Sequence, residues 1–306
     1  MDDAQATAGK RSRPIHPRIE PHLRLNVWQD AIAFLQHDGF DEALLSYCRS
    51  MAEPSAFRWP ANKIFAQKMR YLTCYMLIGL DVRFRMGLGP QPSLTDLQAV
   101  VPGSSRQVSD LIAGLRAGGY VVAERSASDG RMIALRATPA LILEVARSPL
   151  AFLAALERLR PSNPPPAEQL QADPYRLASL VGHSVMHYQK QDVLFGPFGT
   201  VVDFTGRDSG YLILCAVMGC HLAQRNGWDW QLSLSYDALA QRFQVSRQHV
   251  GNVLADAAES GIFITRAGKV QSVSEAFVTE FSTWGAGQMA HYRILAEISA
   301  TPNLTG

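Results

Sequence analysis

The sequence predicts a mainly α-helical protein with small β-hairpin wings, arranged as two tandem units with flanking helices. The prediction rests on apolar residues at helical spacing, on a thirty-residue pattern written twice, and on a proline run between the copies. With 306 residues, 47% apolar and 18% charged, the chain is long enough for two domains with cores of their own. A net charge of +2 supplies no global basic field, so affinity for a polyanion has to come from local patches.

In chain order, residues 1–25 are a basic, proline-containing stretch with Lys10, Arg11, Arg13, Arg18 and Arg24, expected as an N-terminal arm or a solvated, disordered tail. It lacks the apolar run of a signal peptide. Residues 26–160 form the first unit, with helices expected over 27–37, 41–52, 61–86, 94–101 and 105–118, a hairpin over 120–136 and helices over 139–159. A Pro-rich linker at 161–170 follows, because the consecutive prolines Pro164, Pro165 and Pro166 cannot lie inside a helix or a central strand. Residues 171–306 form the second unit, with helices over 173–189, 209–226, 236–243 and 247–260, a hairpin over 262–273 and a last helix over 274–298. The stretch 193–207 holds Gly196, Pro197, Gly199 and Gly206 and reads as loop.

The repeat gives the units their meaning. With Ser93 aligned to Ser235, six of thirty gapless pairs are identical, through Val122 and Ile264. Val108, Leu111, Ile112 and Leu115 recur as Val250, Val253, Leu254 and Ala257, one buried stripe of a helix in each copy. Upstream, YLTCYMLIG (71–79) matches YLILCAVMG (211–219). Within one unit, Ser93 caps a short helix, Pro102-Gly103 turns the chain, and Ser104 caps the next helix with Gln107 at the capping-box position. Gly118-Gly119 ends that helix, Tyr120 to Val122 is β-rich, and Ser128 to Arg131 is turn chemistry. Helix, tight turn, helix and hairpin make a winged helix-turn-helix. The second unit repeats the order from Ser235 through Ser246 and Gly261 to Ala267-Gly268-Lys269.

The segment SLTDLQAVVPGSSRQVSDLIAGLRAGGYVVAERSASDGRMIALRATP resembles the DNA-binding core of the MarR (multiple-antibiotic-resistance regulator) type, down to an Asp129-Gly130-Arg131 wing tip. LSYDALAQRFQVSRQHVGNVLADAAESGIFI resembles a more generic winged helix, as similar to Crp and GntR regulators as to MarR, and its wing lacks that tip. The resemblance implies that each half corresponds to one protomer of a dimeric regulator, so that the chain is a fused pseudo-dimer. It also implies an effector pocket near residues 71–86 or 209–226.

A recognition helix presents its N-terminal residues to base edges, where Arg suits guanine and Gln suits adenine. The candidate DNA-binding residues in the first unit are Ser104, Ser105, Arg106, Gln107, Ser109 and Arg116, with Arg125 and Arg131 on the wing. In the second they are Ser246, Arg247, Gln248, His249 and Asn252, with Arg266 and Lys269 on the wing. Asp110 and Asp256 fall on or beside the same face. The partners expected are double-stranded DNA and a small-molecule effector, with no membrane, and the chain acts as a monomeric pseudo-dimer or a homodimer.

No nucleophile–base set, glycine-rich phosphate loop or paired-carboxylate motif points to an enzyme, and no cofactor is implied. His183 and His187 have metal-binding spacing without a third ligand, so no metal site is expected. Cys48, Cys74, Cys215 and Cys220 fit no zinc or redox motif and read as reduced cysteines in a cytoplasmic chain, one of them in reach of service as a thiol sensor. The function expected is a sequence-specific transcription regulator with two unlike recognition helices. The alternatives are a plasmid-type replication initiator and a winged-helix scaffold that docks proteins.

Overall fold

The computed structural model describes residues 12–125 and 132–300. The first half contains α1 (Asn26–Leu35), α2 (Phe40–Ala52), α3 (Lys68–Arg85), α4 (Leu94–Val100) and α5 (Ser105–Ala117). After these come β1 (Val121–Arg125), β2 (Ile133–Ala137), α6 (Pro139–Val145) and α7 (Arg147–Glu157). Then follow α8 (Pro166–Ala172), α9 (Pro174–Lys190), α10 (Gly199–Thr205), α11 (Gly210–Asn226), α12 (Tyr236–Phe243) and α13 (Arg247–Glu259). β3 (Phe263–Arg266), β4 (Lys269–Val273) and α14 (Glu275–Ala300) complete the chain. The expectation of a mainly helical protein with two small hairpins holds among the described residues: each sheet is an antiparallel pair, β1 with β2 and β3 with β4.

The two copies of the repeat fold alike because the same local chemistry recurs. Ser93 Oγ accepts the Asp96 amide at the start of α4, and Ser235 Oγ accepts the Ala238 amide at the start of α12. Ser104 and Ser246 do the same for α5 and α13, accepting the amides of Gln107 and His249. Gly119 and Gly261, at φ +76° and +69°, close these helices in the left-handed region that a side chain disfavours. In both copies the first cap residue also bridges to the hairpin, Ser93 to Ala134 and Ser235 to Lys269.

The halves are joined by exchange. α2 of the first half packs along α11 of the second, α9 of the second packs along α3 of the first, and α14 lies against α1, α7 and α9. α3 and α9 approach closely enough that a Cβ on Gly79 would stand 2.5 Å from Val185 Cγ1, and one on Gly182 2.6 Å from Val82 Cγ1. Gly219, which the repeat aligns with Gly79, meets Trp230 and Cys48 in the same manner. Chain length led to the expectation of two separate cores. The buried apolar side chains instead form one cluster running from Ile19 to Ala296 through both halves, because each half's helices are covered by the other's.

Several elements depart from the sequence reading. The helix expected over 61–86 is two: a 3-10 helix, Ala61–Ala66, then α3, separated by Gln67 at φ −148°. The helices expected over 139–159 are present as α6 and α7, and the angle between them, which the sequence did not indicate, is 57°. The stretch 193–207 holds α10, whose first amides, Thr200 N and Val201 N, donate to Glu280 Oε1 on α14 at 3.0 and 3.3 Å. The expected arm is not free where it is described: Ile19 is fully buried and Arg13 Nε donates to Asp41 Oδ1 at 3.0 Å. Apolar residues in a short helical turn and a cationic side chain with a carboxylate in reach are sufficient to dock residues 12–25. The linker likewise runs into α8, with Leu170 buried. No single described helix is long and apolar enough to cross a membrane.

Candidate nucleic-acid interface

α5 and α13 each bury one stripe, Val108, Ile112 and Leu115 in the first, Val250, Val253, Leu254 and Ala257 in the second. Their first turns therefore project outward, and the capping hydroxyls fix where those turns begin.

The candidate residues divide into two groups. Ser104 and Ser246 are exposed but committed as caps, and Gln107 completes the capping box by accepting the Ser104 amide at 3.3 Å. Ser109 Oγ donates to Ser105 O at 2.8 Å and accepts Gln98 Nε2 at 2.9 Å, which leaves it little capacity for a ligand. His249 is half-buried, and its Nε2 bonds Asp208 O at 2.6 Å, so its ring is a brace between α13 and the α10–α11 loop. These five residues position the helices.

The remaining candidates are open to solvent. Ser105, Arg106 and Arg116 project from α5, and Arg247, Gln248 and Asn252 from α13. Arg106 is 91% exposed, with Asp110 3.8 Å away, and Arg247 Nε is 2.9 Å from Asp237 Oδ1. Exposed pairs of this kind contribute little and exchange readily for a phosphate or a base edge. Arg125 is exposed at the end of β1, and Arg266 and Lys269 flank the β3–β4 turn. Among the described residues these three and Arg116 have no ion-pair partner. Arg131 lies outside the described residues. Asp256, on α13 itself, is not bare, since it pairs with Arg207.

A chain of contacts that no sequence pattern announced runs from the groove beside α5 to the first turn of α13. A groove bordered by Gln107 and Asp110 of α5 also contains Trp59 and Arg70. The Arg70 guanidinium lies 5.4 Å from the Trp59 ring centroid, and Trp59 is 63% exposed. Arg70 Nη1 is 3.7 Å from Asp208 Oδ1, and Asp208 is the residue that braces His249. Lys63 closes the arrangement from the first half by donating to Phe243 O at 2.6 Å and Gln244 O at 3.0 Å, where α12 ends.

The other candidates carry less chemistry. Burial pushes the Cys74 and Cys215 thiols up to about 12 and raises those of Cys48 and Cys220, which removes the thiolate a sensor needs. His183 Nδ1 is 2.8 Å from Ser179 O, and the His187 ring packs against His291. The described residues hold no group of three or more His, Cys, Asp or Glu able to bind a metal. Near the segments expected to border an effector pocket there is a cavity of about 270 Å³ whose wall includes Tyr71, Leu72 and Tyr211. No protein-family model matches the chain, nor does any curated protein or solved structure.

Proposed function

We propose that the chain is a sequence-specific, double-stranded-DNA-binding transcription regulator of the winged helix-turn-helix type, with α5 and α13 as recognition helices and the β1–β2 and β3–β4 hairpins as wings. One observation carries this reading: two units of matching order present a solvent-open Arg, Arg106 and Arg247, on the first turns of equivalent capped helices. A regulator needs that pattern, since base edges are read from the first turns while caps and wings fix orientation on the backbone.

The two faces are spelled differently, Ser105 and Arg106 against Arg247, Gln248 and Asn252. A chain acting alone therefore reads two unlike half-sites rather than a palindrome. Selection of bound duplexes from a random pool tests the proposal. The expected product is a site with two distinct halves, bound with steep salt dependence. Recovery of no preferred sequence, or of binding insensitive to salt, refutes it and favours the protein-docking alternative.

A further inference from the structure

We propose that Trp59 is a DNA contact made once per chain. Its indole ring packs on deoxyribose, and its N–H donates to a phosphate of the strand that flanks α5 on the side away from α4. The contact rests on the DNA-binding reading and lies outside α5, α13 and the wings. Trp59 stands between α2 and the 3-10 helix Ala61–Ala66 and is 63% exposed. A single exposed apolar ring is ordinary, but this one is held out by its neighbours. On one side Phe57 packs edge-on against Tyr120, with ring centroids 6.3 Å apart, and the Arg58 amide donates to Tyr120 Oη at 3.2 Å. On the other side Pro60 abuts α5, where a Cβ on Gly114 would stand 3.7 Å from Pro60 Cγ. The Arg70 guanidinium backs the ring, 5.4 Å from its centroid. Among the described residues nothing accepts the indole N–H.

Position assigns the partner. A helix with its side chains is about 10–12 Å across and fills a major groove about 12 Å wide, so a sugar–phosphate strand runs along each flank. One flank of α5 faces α4, whose Gln98 Nε2 donates to Ser105 O at 3.0 Å and to Ser109 Oγ at 2.9 Å. In a helix-turn-helix the first helix meets the backbone on that flank. The groove that holds Trp59 is bordered by Gln107, Asp110 and Gly114. Gln107 stands about 160° around the helix from Ser109 at 3.6 residues per turn. Trp59 is therefore on the flank that faces the second strand. Asp208, 3.7 Å from Arg70, offsets the charge of that guanidinium. Arg70 thus supports the ring, and the neutral indole N–H is the group offered to phosphate.

The duplication gives this contact no counterpart. The match of Tyr71 with Tyr211 sets Gly210 at the position of Arg70, so the second half has no cation there to back a ring. The half-site bound by α5 gains a backbone contact that the half-site bound by α13 lacks.

Acrylamide quenching and anisotropy on the full chain test the contact, with two unrelated duplexes of about three helical turns as probes at low salt. Trp59→Phe keeps a ring, removes the N–H and identifies the emission that belongs to Trp59. Duplex is expected to shield that emission from acrylamide. The variant, with an unchanged melting temperature, is expected to bind both duplexes about tenfold more weakly. Because the indole is uncharged, the slope of log affinity against log salt should stay at the wild-type value. Trp59 is the one exposed tryptophan of the five, so wild-type quenching decides the matter even where the variant fails to fold. Emission that stays quenchable in the bound state, a folded variant that binds like wild type, or a loss seen with one duplex alone overturns the contact and leaves the regulator reading standing. Failure of the wild type to bind either duplex overturns both.

Discussion

Single side chains separate contact from support at the proposed interface. Arg106 and Arg247 face solvent, so Arg106→Ala and Arg247→Ala are each expected to cost about 1–3 kcal/mol in specific affinity, measured by fluorescence anisotropy on the selected site, with the melting temperature unchanged. His249→Ala is expected to behave differently. It breaks the brace to Asp208 and should lower stability by about 0.5–1.5 kcal/mol, read by urea titration. A third residue-scale prediction concerns Glu144, buried on α6. Burial pushes its carboxyl up from 4.5 to about 7, opposed by Arg147 and by the hydrogen bond from Ser55. The folded state then holds the proton more tightly than the unfolded state. That stabilisation is fully present below about 4.5 and is lost as pH rises through about 7. Glu144→Gln, which keeps a neutral hydrogen-bonding group, is expected to flatten the decline in stability between those values, and melts of wild type and variant across that window would show it. An unchanged decline would mean that the carboxyl is ionised in the fold.

At the scale of elements, what was legible in the sequence is what local chemistry specifies. The bounds of α5 and α13 follow from Ser104 and Ser246 at one end and Gly119 and Gly261 at the other, all read from short-range signals. α10 was not legible, because its amides are capped by Glu280, eighty residues downstream, and its flanking glycines signal only a break. The division of 61–86 was hidden for a similar reason. Its cause is tertiary, with Ala66 O engaged by Ser209 and Lys63 engaged by the end of α12. The candidate face was half legible: its residue types were visible, but the diversion of Ser109 and His249 into internal bonds depends on Gln98 and Asp208, which no periodicity links to them. The close crossing of α3 and α9 yields a prediction of its own. Gly79→Ala and Gly182→Ala should each cost about 1–3 kcal/mol in chemical denaturation, since Val185 and Val82 are packed too tightly to give way. Tolerance of both would show that the helices can part without loss.

For the molecule as a whole, the exchange of α2 and α9 between halves makes each half incomplete. A fragment of residues 1–160 or 171–306 is expected to lack a cooperative thermal transition by circular dichroism, while the two co-expressed should associate and regain it. Independent melting of either fragment would show that the shared cluster is dispensable. The same exchange sets a schedule during synthesis. From Ala52, where α2 ends, to Gly210, where its partner α11 begins, is 158 residues. At ordinary translation rates of about 5–20 residues per second, the side of α2 that faces α11 waits roughly 8–30 seconds on the ribosome for its partner, even after α7 has covered another part of the helix. Cells making this chain must shield that nascent surface, so slowing elongation or withdrawing trigger-type chaperones should send newly made protein into aggregates long before it harms the finished molecule.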